Sequence, residues 1–276
     1  KRGNIEKAMR LLVEHGAKPE ILVDAHPHIG SNKLPKIVAN IRATIEQYGG
    51  AVHFNSCVTD FLLEDGVLRG VEVNGREVHR AGAVILASGH SARDIYRLLQ
   101  RRGIRIESKP FALGVRIEHP QRLIDRLQYN QEPREEHLPA ASYKLVTQVE
   151  GRGVFSFCMW PGGLVVPAAT APGELVVNGM SMSRRDSAYA NSGTVVAIEA
   201  DDLGPWRRHG VFAGLALQRQ VEQAMFDYGD GSQRGPAQRL PDFVAGRLSV
   251  DLPLSSYIPG IYPAPLHELL PPFIYR

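Results

Sequence analysis

Two turn dipeptides in close succession constrain this chain more than any other feature. An apolar, β-branched run lies within 51–63, Asp65-Gly66 follows, 67–73 (VLRGVEV) alternates with period two, and Asn74-Gly75 precedes a last run at 76–80. Both dipeptides favour the positive-φ geometry of tight hairpins, so the segment predicts a three-stranded antiparallel meander. Ala83-Val84-Ile85-Leu86-Ala87 then reads as a short strand buried on both faces, as in a parallel sheet. It runs into Ser88-Gly89-His90-Ser91 and a helix at about 92–102. A glycine at the carboxyl end of such a strand lets a ligand approach the backbone, and the helix start offers free N–H groups to a phosphate or a flavin edge. An ordinary strand-to-helix turn would carry the same residues.

Around this segment the pattern is mixed. Residues 5–15 form an amphipathic helix with Ile5, Met9, Leu12 and Val13 on one face, and a second helix at 34–48 ends at Gly49-Gly50. Strands are expected at 111–118, 143–149, 153–159, 163–167 and 175–178, a surface excursion at 120–140, and a helix at 211–227. The tail from 251 carries six prolines and little periodicity. The fold class is α/β, with a mostly antiparallel β part after residue 108.

Composition bounds the function. A chain of 276 residues is one large or two ordinary domains. The net charge of +3 announces neither nucleic acid nor an anionic membrane, and no apolar stretch approaches the ~20 residues that span a bilayer. The two cysteines, Cys57 and Cys158, cannot make a disulfide framework, so a reducing, cytoplasmic compartment is expected. The chain opens at Lys1 and closes on Ile274-Tyr275-Arg276, which reads as a portion of something longer.

Several side chains are candidates for chemistry. His26 and His28 flank Pro27; a histidine there could shuttle protons or make a loop hydrogen bond. Two ligands do not make a metal site, and none is expected. Cys158 in FSFCMWPGG (155–163) is either a redox thiol or a buried strand cysteine, and Cys57 reads as a small core residue. Arg116, Glu118 and His119 end an apolar strand, where Arg116 would select a carboxylate or phosphate or join a strand-end salt bridge. Arg97, Arg101, Arg102 and Arg105 make a basic run without interleaved aromatics.

Longer stretches carry a resemblance. PHIGSNKL (27–34), ILASGHSARD (85–94), KPFALGVRIEHPQ (109–121), YKLV (143–146), FSFCMWPGG (155–163), VNGMS (177–181) and PAQR (236–239) resemble a family of bacterial FAD-dependent dehydrogenases, in the family's order and over most of the chain. That family is similar to wider NAD(P)/FAD-dependent oxidoreductases and, more distantly, to flavin-dependent tRNA-modifying enzymes. The resemblance implies a partial FAD-binding domain at 1–108 with the meander inserted, a substrate domain at 109–250, and a return segment at 251–276. Val58 would meet the adenine. Ser88, Gly89, His90 and Ser91 would line the flavin, with Ser88 in place of the usual Thr, and Arg93 would pair with an FAD phosphate or with Asp94. His28, Cys158 and Arg116 become the catalytic candidates. The family's G-x-G-x-x-G and its Gly-rich C-terminal segment are not matched, so this portion is expected to bind FAD poorly and to self-associate. NAD(P)H is the electron donor to consider, the substrate is a small molecule of unknown identity, and RNA modification or a non-catalytic assembly role are the alternatives.

Overall fold

Apolar residues three and four apart make Ile5–Glu14 (α1) and Leu34–Gln47 (α2) helical. Met9, Leu12 and Val13 of α1 pack with Ile21 and with Ile37 and Ile41 of α2. A computed structural model describes residues 5–275. They divide into two units: those up to Ile41 together with those from Lys109 onward, and Arg42–Ser108.

The smaller unit holds the meander. Val58–Glu64 (β1), Val67–Val73 (β2) and Glu77–Arg80 (β3) pair antiparallel in sequence order. Asp65, Gly66, Asn74 and Gly75 all have positive φ, the backbone that two-residue hairpin turns require. Phe61 of β1 is buried against Ile95 and Leu98 of Arg93–Arg101 (α3). The segment 83–87 departs from expectation. It makes no strand, and Ile85 is 91% exposed. A strand in a sheet needs at least one hydrogen-bonded neighbour, and none pairs with this segment among the described residues. Cys57 is likewise exposed rather than in a core.

The larger unit is built on an antiparallel sheet of order β4-β9-β6-β5, comprising Phe111–Pro120 (β4), Tyr189–Ile198 (β9), Arg152–Trp160 (β6) and Val146–Val149 (β5). β9, absent from the sequence reading, pairs with β4 along its whole length and with β6 on its other side. The expected surface excursion after β4 begins instead as Gln121–Tyr129 (α4), whose Gln121, Ile124 and Asp125 are buried. Gly163–Pro167 (β7) and Val177–Ser181 (β8) form a hairpin. Ala213–Asp227 (α5) buries Leu217 against Ile198, Phe111 and Leu113, and Met225 against Leu175 and Leu270. Near the chain's end, Gly235–Ala237 (β10) pairs parallel with Ile261–Pro263 (β11), with the short helix Leu240–Val244 (α6) between them and Leu266–Leu269 (α7) and Pro272–Tyr275 (α8) after them.

Candidate functional site

The β4 strand borders a cavity of about 930 Å³. Val115 of β4, Val154 of β6 and Val196 of β9 line it, and Phe243, Leu254 and Phe273 line it from the chain's last forty residues. Glu118 anchors that last portion to the strand. It accepts from the Ser256 N–H at 3.1 Å and, in a closer contact, from the Ser256 hydroxyl. The Ser256 oxygen in turn accepts from the Val165 N–H at 2.8 Å.

Three arginines line the cavity. Arg152 makes a two-pronged pair with Asp202 at 2.6 and 2.7 Å and stacks on Phe273, 5.0 Å from the ring centre. Arg239 meets Asp251 at 2.9 Å. Arg116 differs: its guanidinium donates only to neutral oxygens, to Asn191 Oδ1 at 2.9 Å, Asn178 Oδ1 at 3.0 Å and the Cys158 carbonyl at 3.4 Å. Burial pushes its pKa down, which Cys158 and Tyr143 in their charged forms oppose. An arginine nevertheless stays charged. The strand-end salt bridge foreseen with Glu118 does not form, because that carboxylate is committed to Ser256.

Cys158 meets Arg116 through its carbonyl. It is exposed, which excludes the buried-cysteine reading. Its φ of +47° places it in the left-handed region, where the register of β6 against β9 shifts between Phe157 and Trp160. At this bulge both Phe157 and Cys158 are exposed.

By strand alternation, His119 and Ser192 project from the opposite face to Arg116 and Asn191. His119 Nε2 lies 2.8 Å from the Tyr143 hydroxyl, which lies 2.6 Å from Ser192 Oγ. Burial holds the His119 pKa below the ordinary 6.5, with Glu118 opposing, and raises that of Tyr143 against the Ser192 hydrogen bond. The folded state thus binds fewer protons at His119 than the unfolded chain. Stability from this residue is complete above pH 6.5 and is lost as pH falls towards the folded value. Urea melts between pH 5 and 8 should show that slope in the wild type and a shallower one in His119→Gln; identical slopes would remove His119 as its source.

The other candidates lie elsewhere. His28 Nε2 bonds the Met182 carbonyl at 3.0 Å, beyond the far end of β8 from Asn178. That loop is seated on the strand end by Ser31 N–H donating to Ser181 O at 3.0 Å. In the smaller unit Val58 opens β1 opposite Val73. Ser88, Gly89 and His90 are exposed, Ser91 and Arg93 partly buried. Gly89 has φ +80° with no atom within 4 Å of where a Cβ would stand, and the α3 N-terminus at Ala92 has no side-chain cap. Sequence reasoning missed Asn178, Asn191, Tyr143 and Ser192. The pairing of β4 with an unrecognised strand is the signal that would have found two of them. Among the described residues no group of three or more His, Cys, Asp or Glu converges to hold a metal ion, and no helix is long and apolar enough to cross a membrane.

Residues 110–276 match the model of a family described as FAD-dependent protein, C-terminal domain-like. Over 267 residues the chain is 40% identical to an uncharacterized protein of Clostridium beijerinckii, covering 95% of this chain and 49% of that protein. The chain thus spans about half the length of the curated relative it matches.

Proposed function

Because this chain belongs to the FAD-dependent protein, C-terminal domain-like family, we propose that it is part of an FAD-dependent oxidoreductase. In this reading the cavity beside β4 receives a small-molecule substrate. The observation that carries the reading is that cavity, walled by the segment the family model covers and lined by apolar side chains with few charges.

The residues around Gly89 fit a flavin nucleotide. The glycine holds a left-handed backbone in open space, and the helix start beyond it is uncapped. Val58, Ser88, Gly89, His90, Ser91 and Arg93 would hold the cofactor, through backbone N–H groups and a positive helix end. When bound, FAD supplies hydride chemistry at its ring. The protein's own contribution is to orient the substrate, exclude water and place charge. NAD(P)H is the donor to test in the whole protein, whose dehydrogenase activity is part of this proposal.

Two cations of the basic run are already ion-paired, Arg102 with Asp60 and Arg105 with Glu107. That weighs against a nucleic-acid role. Exposed Val250, Leu254 and Ile258 are apolar surface on which self-association of this portion would rest.

The test is a thermal melt with and without excess FAD, read beside the visible spectrum. A melting point that rises with FAD, and a rise lost in Gly89→Val, is the expected result. A melt unmoved by FAD at millimolar concentration would overturn flavin binding by this portion and favour an assembly role.

A further inference from the structure

The larger unit contains a charge that its own residues do not neutralise. Arg116 has no carboxylate within ion-pair distance among the described residues, whereas Arg152 and Arg239, which line the same cavity, each have one. Its five N–H donors are only partly used. Both hydrogens of Nη1 serve Asn191 and Cys158, one of Nη2 serves Asn178, and Nε is buried without a partner. Nε and the second Nη2 hydrogen remain, two donors on one planar group.

Two further N–H donors nearby are also unsatisfied. Asn191, 0% exposed, has Nδ2 without a partner, and so does Trp160 Nε1. The three groups meet over Gly179. A Cβ there would stand 2.2 Å from Trp160 Cδ1, 2.3 Å from Asn191 Oδ1 and 2.7 Å from Arg116 Nη1. Only glycine lets them converge. Unsatisfied buried polar atoms are costly, and three donors around one cation constitute an acceptor deficit. The guanidinium meets exposed residues at both ends, Asn178 at Nη2 and Cys158 at Nη1.

We infer that Arg116, where it lines the cavity, forms with Asn178, Asn191 and Trp160 an oxyanion subsite for a carboxylate or phosphate group of a ligand bound there. This deepens the reading of the cavity as a substrate site by naming its substrate class: an apolar body bearing one anionic group. A bidentate oxyanion would take the two free guanidinium donors and supply the missing charge.

The probes are sodium phosphate and sodium succinate, titrated calorimetrically into the flavin-free chain against sodium chloride at equal ionic strength. Saturable binding of one or both is expected, and the better probe tells phosphate from carboxylate. Asn178→Asp keeps the acceptor on Nη2 and adds the missing negative charge. It should weaken binding by at least about tenfold, the scale of one charge-assisted hydrogen bond, while raising the melting point. Arg116→Gln should abolish binding, and Arg126→Gln, on α4 and outside the cavity, should leave it intact. No saturable binding of either probe, or binding that survives Asn178→Asp unchanged, would overturn the subsite. Since no flavin is present, that failure is independent of the FAD melt.

Discussion

Asp125→Ala is expected to cost about 3 kcal/mol of folding stability, the lower end of what breaking a buried charged network costs. The Asp125 carboxylate accepts from Arg134 Nη1 at 2.7 Å, Gln121 Nε2 at 2.8 Å and the Ala141 N–H at 2.9 Å. Gln121 extends the network by donating to the Ala141 carbonyl at 3.0 Å and accepting from the Gly162 N–H at 2.7 Å. Alanine would strand a buried backbone donor and most of a guanidinium at once. Arg134 keeps some contact with water, which is why the low end applies. Asp125→Asn, which keeps one acceptor oxygen, should lose about half as much. Urea denaturation followed by far-ultraviolet circular dichroism measures both. A loss below about 1 kcal/mol for Asp125→Ala, the size of a typical net hydrogen bond, would show that the network does not act as a unit.

Gly162→Ala should cost about as much, by a different route. Gly162 sits between β6 and β7 with φ +53°, and its Cβ would stand 1.8 Å from the Arg185 carbonyl oxygen. The Cβ is fixed by the backbone and the oxygen is part of it, so neither can swing aside. The left-handed conformation alone costs an alanine about 1–2 kcal/mol, and the clash must also break the Gln121 bond or displace the 182–187 segment. A total of about 3 kcal/mol or more is expected. Gly66→Ala is the control: its φ is +76° but nothing lies within 4 Å of its Cβ, so only the conformational part should appear. Equal losses at the two glycines would show that the backbone around Gly162 relaxes freely.

The parts of the fold legible in the sequence are those fixed by neighbours along the chain. The meander announces itself because Asp65-Gly66 and Asn74-Gly75 specify turn geometry locally. Helices with a clean apolar stripe, such as α1 and α5, are legible for the same reason. β9 is not, because its first half carries Asn191, Ser192 and Gly193, which read as loop. They are buried by pairing with β4, more than seventy residues earlier in the chain. α4 was obscured similarly, since its buried Gln121 and Asp125 look like surface until their partners are known. The opposite error occurs at 83–87, whose apolar run has every local mark of a central strand and no neighbour to pair with among the described residues. At the site, Arg116 and Cys158 could be named one by one. Their meeting could not, and neither could Asn178 and Asn191, which arrive from two other strands. The polar residues hardest to place are those the subsite uses.

The central position of β9 also dictates an order of events during synthesis. It lies between β4 and β6, yet is made after both. A ribosome adds about 5–20 residues each second, so β4 waits several seconds for the partner that satisfies one edge, and β6 waits with only the short β5 beside it. Newly made β4 is an apolar strand with open edges, the form in which chains capture one another. The facing edges of β4 and β6 therefore stay open until β9, ending at Ile198, has been made.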